Sequence, residues 1–501
     1  MSGLDRRSLL LRAGAAALAA GTPFGWELVG AGAQGSTTQR RLRELSRALR
    51  GPLLTPSSSG YRSAALVYNE RYDGTRPLAV ARCASASDVQ DCVRWAAKYD
   101  VRVAARSGGH SYAGYSTTTG LVIDVSGLDA INVGTGATTA TIGAGAQLID
   151  VYAGLARRGV TIPAGSCPSV GIGGLAQGGG IGLASRKLGM TCDNIIALDI
   201  VTADGRLLRC DADTNEDLYW ACRGGGGGNF GVVTRFVFRT FRVRSAAYFF
   251  ARWPWGAAED AIAAWQSFAP EAPDELMSLL NLSTGGPTVT CVGQYFGSAG
   301  SLRGLLGPLR RSGASISTGS SSYLALQKRW AGCADMGLAQ CHTRGESAGG
   351  TLARAIFAGK SDYFARALSG SARRTMTRYI EQRNGQSGSG AIVLDAYGGK
   401  INSVKPGATA FVHRDQLFSA QYLSYWGSSR GAGQGLRWIR SFRAAMQGAA
   451  SGFAYQNYID PDLRSWKKAY YGSNYNRLVR VKTQYDPDNL FRFKQSIPPK
   501  S

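Results

Sequence analysis

A glycine-rich stretch and one histidine are the parts of this sequence best suited to covalent chemistry. Residues 165–182 read GSCPSVGIGGLAQGGGIG, and Cys167 stands near the start of this stretch. A loop with so few side chains can lay its backbone N–H groups against a large anionic ligand. A second short cradle, RSGGHS at 106–111, follows a predicted strand and contains His110. We therefore predict a site in which a thiol and an imidazole face one anionic ligand.

Two other kinds of site, a Rossmann dinucleotide site and a serine hydrolase site, fit these residues less well. The segment Gly171–Ala176 matches GxGxxA, but prolines interrupt the residues where a strand should precede it. Asp193, the candidate ribose-binding acid, comes before the predicted strand 195–202 instead of at its end. A Ser111–His110 catalytic pair lacks the nucleophile-elbow motif. The sequence therefore favours neither a Rossmann site nor a serine hydrolase.

The elements that must position these residues change in character along the chain. Up to about residue 240, short predicted strands alternate with helices and glycine loops, including five consecutive glycines at 224–228. From 241 to 450, aromatic-rich strands alternate with longer helices, which predicts a separate α+β domain. The stretch 451–501 returns to a tight helical pattern.

The overall composition is that of an ordinary globular protein, with 44% hydrophobic and 18% charged residues. The net charge of +24 would suggest a nucleic-acid partner if it were taken alone. The arginines are scattered, however, and no basic run interleaves with aromatic residues. We expect a solvated basic surface and no nucleic-acid binding.

The N-terminus resembles a twin-arginine export signal. Arg6 and Arg7 precede the apolar, alanine-rich segment Leu9–Ala20, which is too short to span a membrane. The alternative is a disordered or loosely helical N-terminus. The export signal predicts a secreted protein that has no membrane contact after export.

The cysteines and histidines bear on redox state and metal binding. If Cys167 forms a covalent bond to a ligand, eight of the nine cysteines remain, and some of them could form disulfides in an exported protein. Cys83/Cys92 and Cys333/Cys341 are close enough in sequence to be candidates. With only three histidines and no CxxC pair, a zinc site is poorly supported, and we predict no metal.

Four motifs together resemble the berberine bridge enzyme-like oxidases of the vanillyl-alcohol oxidase superfamily of flavoproteins. They read RSGGHSYAGYS, GSCPSVGIGGLAQGGGIG, GGGGGNFGVVT and YYGSNYNRLVRVKTQYDPDNLFRFKQSIP, and they occur in the family's order. The resemblance covers essentially everything after residue 50. It implies an α+β, two-domain FAD-binding fold with an antiparallel-sheet substrate domain. On this basis an export signal and linker occupy 1–35, and the FAD-binding domain (36–240 and 451–501) flanks the substrate domain (241–450).

The resemblance also implies an FAD that is attached twice, through His110 to the 8α-methyl carbon and through Cys167 to ring position 6. Two tethers would fix the flavin plane and raise its reduction potential. Val170 matches the position of an oxygen gatekeeper, and its small size favours an oxidase over a dehydrogenase. The other predicted cofactor-binding residues are Arg106, Ser107, Gly108, Gly109, Ser111, Gly171, Gly173, Gly174, Gly180, Gly182 and Val233.

Candidate catalytic residues follow from the same resemblance. Asp395, in LDAYGG, is similar to a carboxylate that assists the catalytic tyrosine of glucooligosaccharide oxidase-like members. Gln421 stands where berberine bridge enzyme has a glutamate base, which argues against alkaloid ring closure. Tyr470 and Tyr471 match a pair that contains a catalytic tyrosine, and either could face the flavin. Tyr112 would line the pocket. Without the resemblance, Asp395 would be interpreted as a turn cap and the tyrosine pair as helix packing.

These assignments predict a secreted FAD-dependent oxidase that converts a hydroxyl to a carbonyl and reduces O2 to H2O2. The preferred substrate is a sugar or oligosaccharide, oxidised at the anomeric hydroxyl to a lactone. One alternative is a tailoring oxidase that acts on a glycosylated natural product, as aclacinomycin oxidoreductase-like members do. A more distant alternative is a carbohydrate-binding flavoprotein without catalytic activity.

Overall fold

The computed structural model describes residues 27–500, so the predicted export signal lies outside the described residues. The described residues divide into two units, with the boundary between residues 47 and 48. Of the first unit, the structure describes helix α1 (Glu27–Ala48), which runs through the boundary predicted at residue 35. The elements that line the site belong to the second unit.

The first sheet is built on a strand–helix–strand unit. It has the order β1-β2-β4-β3, and β2, β4 and β3 are parallel. Helix α3 forms the crossover from β2 to β3, which lie on either side of β4 and run parallel to it. The Ser85 hydroxyl caps α3 by accepting the Asp88 N–H. The elements are α2 (Tyr61–Ala65), α3 (Ala86–Tyr99), β1 (Leu53–Leu54), β2 (Ala79–Arg82), β3 (Val103–Arg106) and β4 (Leu121–Asp124).

The second sheet is antiparallel, with the order β5-β6-β10-β8-β9. The GxGxxA segment opens helix α5 after a loop, and the following strand β8 pairs antiparallel, so this is not a Rossmann unit. The elements are β5 (Ile131–Val133), β6 (Thr139–Gly143), β7 (Val160–Thr161), β8 (Ile195–Val201), β9 (Leu207–Cys210), β10 (Val232–Arg239), β11 (Phe241–Arg242), α4 (Leu148–Ala156), α5 (Ile172–Gln177), α6 (Ser185–Leu188) and α7 (Glu216–Ala221). Strands β7 and β11 pair with each other.

The third sheet has seven antiparallel strands in the order β15-β12-β14-β13-β17-β18-β16. Its strands are β12 (Ser245–Trp253), β13 (Leu276–Ser283), β14 (Thr288–Tyr295), β15 (Ser315–Ser322), β16 (Phe357–Phe364), β17 (Ser389–Ala396) and β18 (Phe418–Tyr425). The remaining helices are α8 (Ala258–Phe268), α9 (Ala299–Leu305), α10 (Gly307–Arg311), α11 (Tyr323–Trp330), α12 (Gly370–Asn384), α13 (Gly399–Ser403), α14 (Ser429–Met446), α15 (Trp466–Tyr471) and α16 (Tyr475–Tyr485).

The seven-stranded sheet has two faces with different roles, because successive side chains of a strand point to opposite sides. One face packs against α8, α12 and α14 and forms a large apolar core, to which it contributes Leu280, Leu282, Ile392, Leu394, Ala420 and Tyr422. The alternate residues Leu279, Asn281, Val393, Asp395, Gln421 and Leu423 line a cavity. The predicted α+β class with an antiparallel sheet is confirmed. All seven strands lie within 241–450, while the domain boundaries themselves stay predictions.

Three other sequence expectations concern cysteines, membrane spans and metal binding. Cys333 and Cys341 form a disulfide, whereas Cys83 and Cys92 are free, buried thiols in contact with each other. Within residues 27–500, no helix combines the length and the apolar character that crossing a bilayer requires. The same residues contain no group of three or more His, Cys, Asp or Glu side chains placed to hold a metal ion.

Candidate active site

A cavity of about 780 Å³ lies between the two glycine cradles, the seven-stranded sheet and the C-terminal segment. Its volume is that of a site for a substantial small molecule. With two exceptions, every residue that the sequence predicted for cofactor binding or catalysis lines this cavity. The exceptions are Tyr470 and Gly180.

Tyr470 and Gly180 have structural roles instead. The Tyr470 hydroxyl accepts a hydrogen bond from the Asp460 N–H at 2.8 Å, and its side chain is buried outside the cavity lining. The Gly180 N–H donates to the Tyr455 hydroxyl at 2.7 Å. A Cβ on Gly180 would lie 2.2 Å from the Thr191 hydroxyl oxygen, so glycine is required there for packing. Of the predicted tyrosine pair, only Tyr471 reaches the cavity.

Arg106 lines the cavity, and both terminal nitrogens of its guanidinium already have protein partners. It donates to the backbone carbonyls of Ala64 at 2.6 Å and Leu66 at 3.1 Å, and it pairs with Asp124 at 3.1 Å. A buried arginine with these partners fastens neighbouring segments together. Arg106 therefore holds residues 64–66 in place beside the cradle, and its role toward a cofactor stays a prediction.

The two glycine cradles touch each other. A Cβ built on Gly108 would lie 2.3 Å from the Gly171 nitrogen, and a Cβ on Gly171 would lie 1.9 Å from the Ser107 hydroxyl oxygen. The Ser107 hydroxyl donates to the Ala144 carbonyl at 2.6 Å. No side chain other than hydrogen fits at this crossing. The two glycine-rich motifs can approach this closely because neither has a bulky side chain at the point of contact.

The cavity lining fits a long, polar ligand such as FAD. A Cβ on Gly174 would meet no atom within 4 Å, so this backbone is open to the cavity. Three buried polar atoms among the lining residues have no hydrogen-bond partner, namely the hydroxyls of Tyr115 and Thr117 and the Gln456 side-chain oxygen. Buried polar atoms normally have partners, so these point to a ligand with complementary groups.

The two predicted tethers, His110 and Cys167, face the same cavity. The His110 imidazole stacks on the Tyr68 ring with centroids 4.0 Å apart, and its Nε2 lies 3.0 Å from the Ser169 hydroxyl. Burial lowers the pKa of His110 to about 3, so the imidazole is neutral. The Cys167 side chain is open to the cavity, and the enclosure of that cavity raises the pKa of its thiol.

A polar cluster on the sheet side faces these tethers. Asp395 accepts a hydrogen bond from the Ser419 hydroxyl at 3.2 Å. Burial raises the pKa of Asp395 to about 7, against the opposing effect of Ser419. The Gln421 amide donates to the Tyr112 hydroxyl. The Tyr112 ring lies on Gly359 of β16, where a Cβ would come within 2.5 Å of the ring.

Tyr458 is a cavity residue that sequence reasoning missed. Its ring stacks on Tyr112 with centroids 5.4 Å apart. Burial raises the pKa of Tyr458 well above its ordinary value, and the nearby carboxyl of Asp395 raises it further. In the sequence this residue belongs to the short aromatic segment YQNY at 455–458. The segment contains no glycine or cysteine and lies before the C-terminal motif, so it does not stand out as part of a site.

The loop that carries Tyr458 is fastened on both sides. The Asn457 amide donates to the Leu175 carbonyl at 3.0 Å, and the Gln456 amide donates to the Gly178 carbonyl at 3.0 Å. Just beyond, the buried pair Lys360–Asp460 joins the loop to β16 at 2.6 Å. Tyr471, in contrast, donates its hydroxyl to the Gly225 carbonyl in the five-glycine loop.

Comparisons with known proteins agree with this geometry. Residues 77–211 match the FAD binding domain family, and residues 454–498 match the family described as Berberine and berberine like. The uncharacterized FAD-linked oxidoreductase YgaK of Bacillus subtilis is 34% identical, over 90% of this chain and 97% of its own. The chitooligosaccharide oxidase of Gibberella zeae is 31% identical, over 90% and 93%. The solved structure of wild-type BBE-like 1 from Physcomitrella patens is 32% identical, with a TM-score of 0.85 over 92% and 99%.

Proposed function

Because the chain belongs to the berberine bridge enzyme-like family of FAD-linked oxidoreductases, we propose that it is an oxidase of a sugar or an oligosaccharide. It converts the anomeric hydroxyl to a lactone carbonyl and passes the electrons to O2, which becomes H2O2. The similarity to a chitooligosaccharide oxidase supports the substrate class. The compact Val170 in the cavity lining supports access of O2.

The observation that carries this proposal is that the buried carboxyl of Asp395 and the phenol of Tyr458 line one cavity, where the carboxyl is near enough to raise the pKa of the phenol. A phenol whose pKa is raised does not ionise by itself near neutral pH. It accepts the substrate's hydroxyl proton only if it passes its own proton on. Asp395, with a pKa of about 7, is suited to receive that proton. Gln421 and Tyr112 orient the substrate from the same face.

FAD, when bound, supplies the acceptor for the hydride. We propose that His110 and Cys167 hold it covalently, because both face the cavity and the imidazole is neutral. The bare backbone at the Gly108–Gly171 crossing and at Gly174 would accommodate the ligand closely.

The test is peroxide release and oxygen uptake across a panel of mono- and oligosaccharides. We expect turnover with at least one sugar and a large loss in Asp395→Asn. Asp362→Asn is the matched control, because Asp362 is a buried carboxyl of the same sheet that faces Arg443 of α14. Flavin-containing protein that releases no peroxide with any sugar would contradict the proposal.

A second substrate class is favoured by the aromatic character of one wall. Phe357 contacts the rings of Tyr68, Tyr112 and Tyr425, with centroids 4.9 to 6.4 Å apart. Such a wall suits an apolar aglycone as well as a sugar face. Glycosylated polyketides therefore belong in the panel. Turnover with these compounds and with no free sugar would identify a tailoring oxidase.

We also propose export through the twin-arginine route. The sequence at Arg6 and Arg7 carries this proposal, and the Cys333–Cys341 disulfide supports an oxidising compartment. Fractionation of cells that express the full chain tests it. Protein in the exported fraction is expected, and substitution of both arginines by lysine is expected to retain it inside.

A further inference from the structure

Two side chains hold the His110 imidazole from different directions. The Tyr68 ring stacks on it with the two planes inclined by 17°. The Ser169 hydroxyl lies 3.0 Å from Nε2 at the ring edge. The first contact fixes the plane of the imidazole, and the second fixes its rotation within that plane.

Both of these residues are themselves anchored to the backbone around them. The Tyr68 N–H donates to the Gly109 carbonyl at 3.2 Å, and Arg106 binds the carbonyls of the preceding segment 64–66. Ser169 is buried in a turn whose flanking carbonyls accept hydrogen bonds from the first turn of α4. Both side chains therefore extend from backbone that hydrogen bonds hold in place.

The contacts at Ser169 also decide which nitrogen is available for bonding. Nε2 is the imidazole nitrogen that contacts the Ser169 hydroxyl, so the protein already engages this nitrogen. Nδ1 is therefore the nitrogen left for bonding. We propose that Tyr68 and Ser169 form a clamp that presents Nδ1 of His110 for bonding to the flavin methyl carbon. This inference rests on the covalent attachment proposed above and is independent of which sugar is the substrate.

The bond formation balances with dioxygen as oxidant. The imidazole N–H bond and one methyl C–H bond break, and an N–C bond forms between Nδ1 and that carbon. Two electrons and two protons leave in the process, and dioxygen accepts them as hydrogen peroxide. A clamp accelerates this step by holding the lone pair toward the carbon, without taking part in the redox change.

The test uses Cys167→Ala as background, so that any retained flavin is bound at His110. The readout is the ratio of flavin retained after acid denaturation to flavin in the native protein, with intact-protein mass as a second measure. Tyr68→Leu combined with Ser169→Ala is expected to slow attachment about tenfold, because a stacked ring and a hydrogen bond are lost together. The ratio is followed while the protein stands in air with added FAD.

Matched variants separate the clamp from general damage. Tyr68→Phe keeps the stacked ring and Ser169→Thr keeps the hydroxyl, so both are expected to attach flavin as fast as the background protein. Unchanged attachment in the Leu/Ala double variant would overturn the proposal. A linkage through Nε2, found by NMR of the flavin peptide from the wild-type protein, would overturn it without any variant. Absence of flavin on His110 in the background protein would overturn the attachment itself, whereas peroxide release from sugars is scored separately.

Discussion

Tyr458 is the single residue whose hydroxyl we expect to matter most for turnover. Tyr458→Phe keeps the ring stacked on Tyr112 and removes only the proton-carrying group. The expected result is a fall in kcat/KM of about 100-fold or more, the usual size for loss of a general acid–base group. Oxygen uptake with the best sugar of the panel measures it.

The adjacent tyrosines provide the controls for that experiment. Tyr470→Phe removes an acceptor for the Asp460 N–H, so it should cost about 1 kcal/mol of stability and leave kcat/KM close to that of the wild type. If Tyr471→Phe lost activity while Tyr458→Phe did not, Tyr471 would be the proton acceptor.

The raised pKa of Asp395 predicts a specific pH dependence of kcat/KM. In its proposed role as a proton acceptor Asp395 must be ionised, so kcat/KM should rise with pH through about 7, where burial places its pKa. Asp395→Asn should be slow and should lose this rising limb. A variant that kept the wild-type pH profile would show that another group titrates.

The same raised pKa affects stability with a definite sign. The folded state favours the protonated carboxyl, so the stabilising contribution is complete below the unfolded pKa of about 3.9 and is lost as pH rises through about 7. Thermal melts should therefore show Asp395→Asn gaining stability over the wild type above neutral pH. The two proteins should converge at acid pH.

At the scale of elements, alanine substitutions at two nearby glycines, Gly171 and Gly174, are expected to have different effects on stability and flavin content. Gly171→Ala places a methyl within 2.3 Å of the Gly108 nitrogen, so it should destabilise the protein and reduce its flavin content together. Gly174→Ala lies in helix α5, where alanine is favoured, and its methyl meets no protein atom. It should leave the melting temperature of the flavin-free fraction unchanged or slightly raised, and it should still lower the flavin-to-protein ratio. Equal ratios in both variants and the wild type would place the ligand elsewhere.

The elements also explain what the sequence could predict. A backbone that no side chains cover follows directly from the glycines of one short stretch. The two glycine cradles with His110 and Cys167 were therefore recognisable from residue types and spacing. The choice between Tyr470 and Tyr471 depends on the phase of a short helix, which adjacent positions in a sequence do not reveal. Tyr458 becomes a site residue only because its loop is fastened between the seven-stranded sheet and α5, which is a tertiary contact.

On the scale of the whole molecule, the C-terminal segment closes the site from outside by means of one buried cation. Lys482 of α16 is fully buried, and its ammonium donates to the Asn229 carbonyl at 2.7 Å, the Phe491 carbonyl at 2.6 Å and the Asp486 carboxylate at 2.6 Å. Phe491 lines the cavity, and Asn229 lies at the end of the five-glycine loop. A single side chain therefore ties the last residues of the chain to the loop that faces the ligand.

Lys482→Met should consequently weaken the entire assembly. It leaves the Asp486 carboxylate buried without its counter-ion, a change that typically costs about 3–5 kcal/mol. Chemical denaturation should show this loss, and the flavin-to-protein ratio should fall with it because the glycine loop loses its anchor. Arg480→Met removes an exposed positive charge from the same helix and should change neither quantity. A Lys482→Met protein with wild-type stability and full flavin content would show that the C-terminal segment closes the cavity by packing alone.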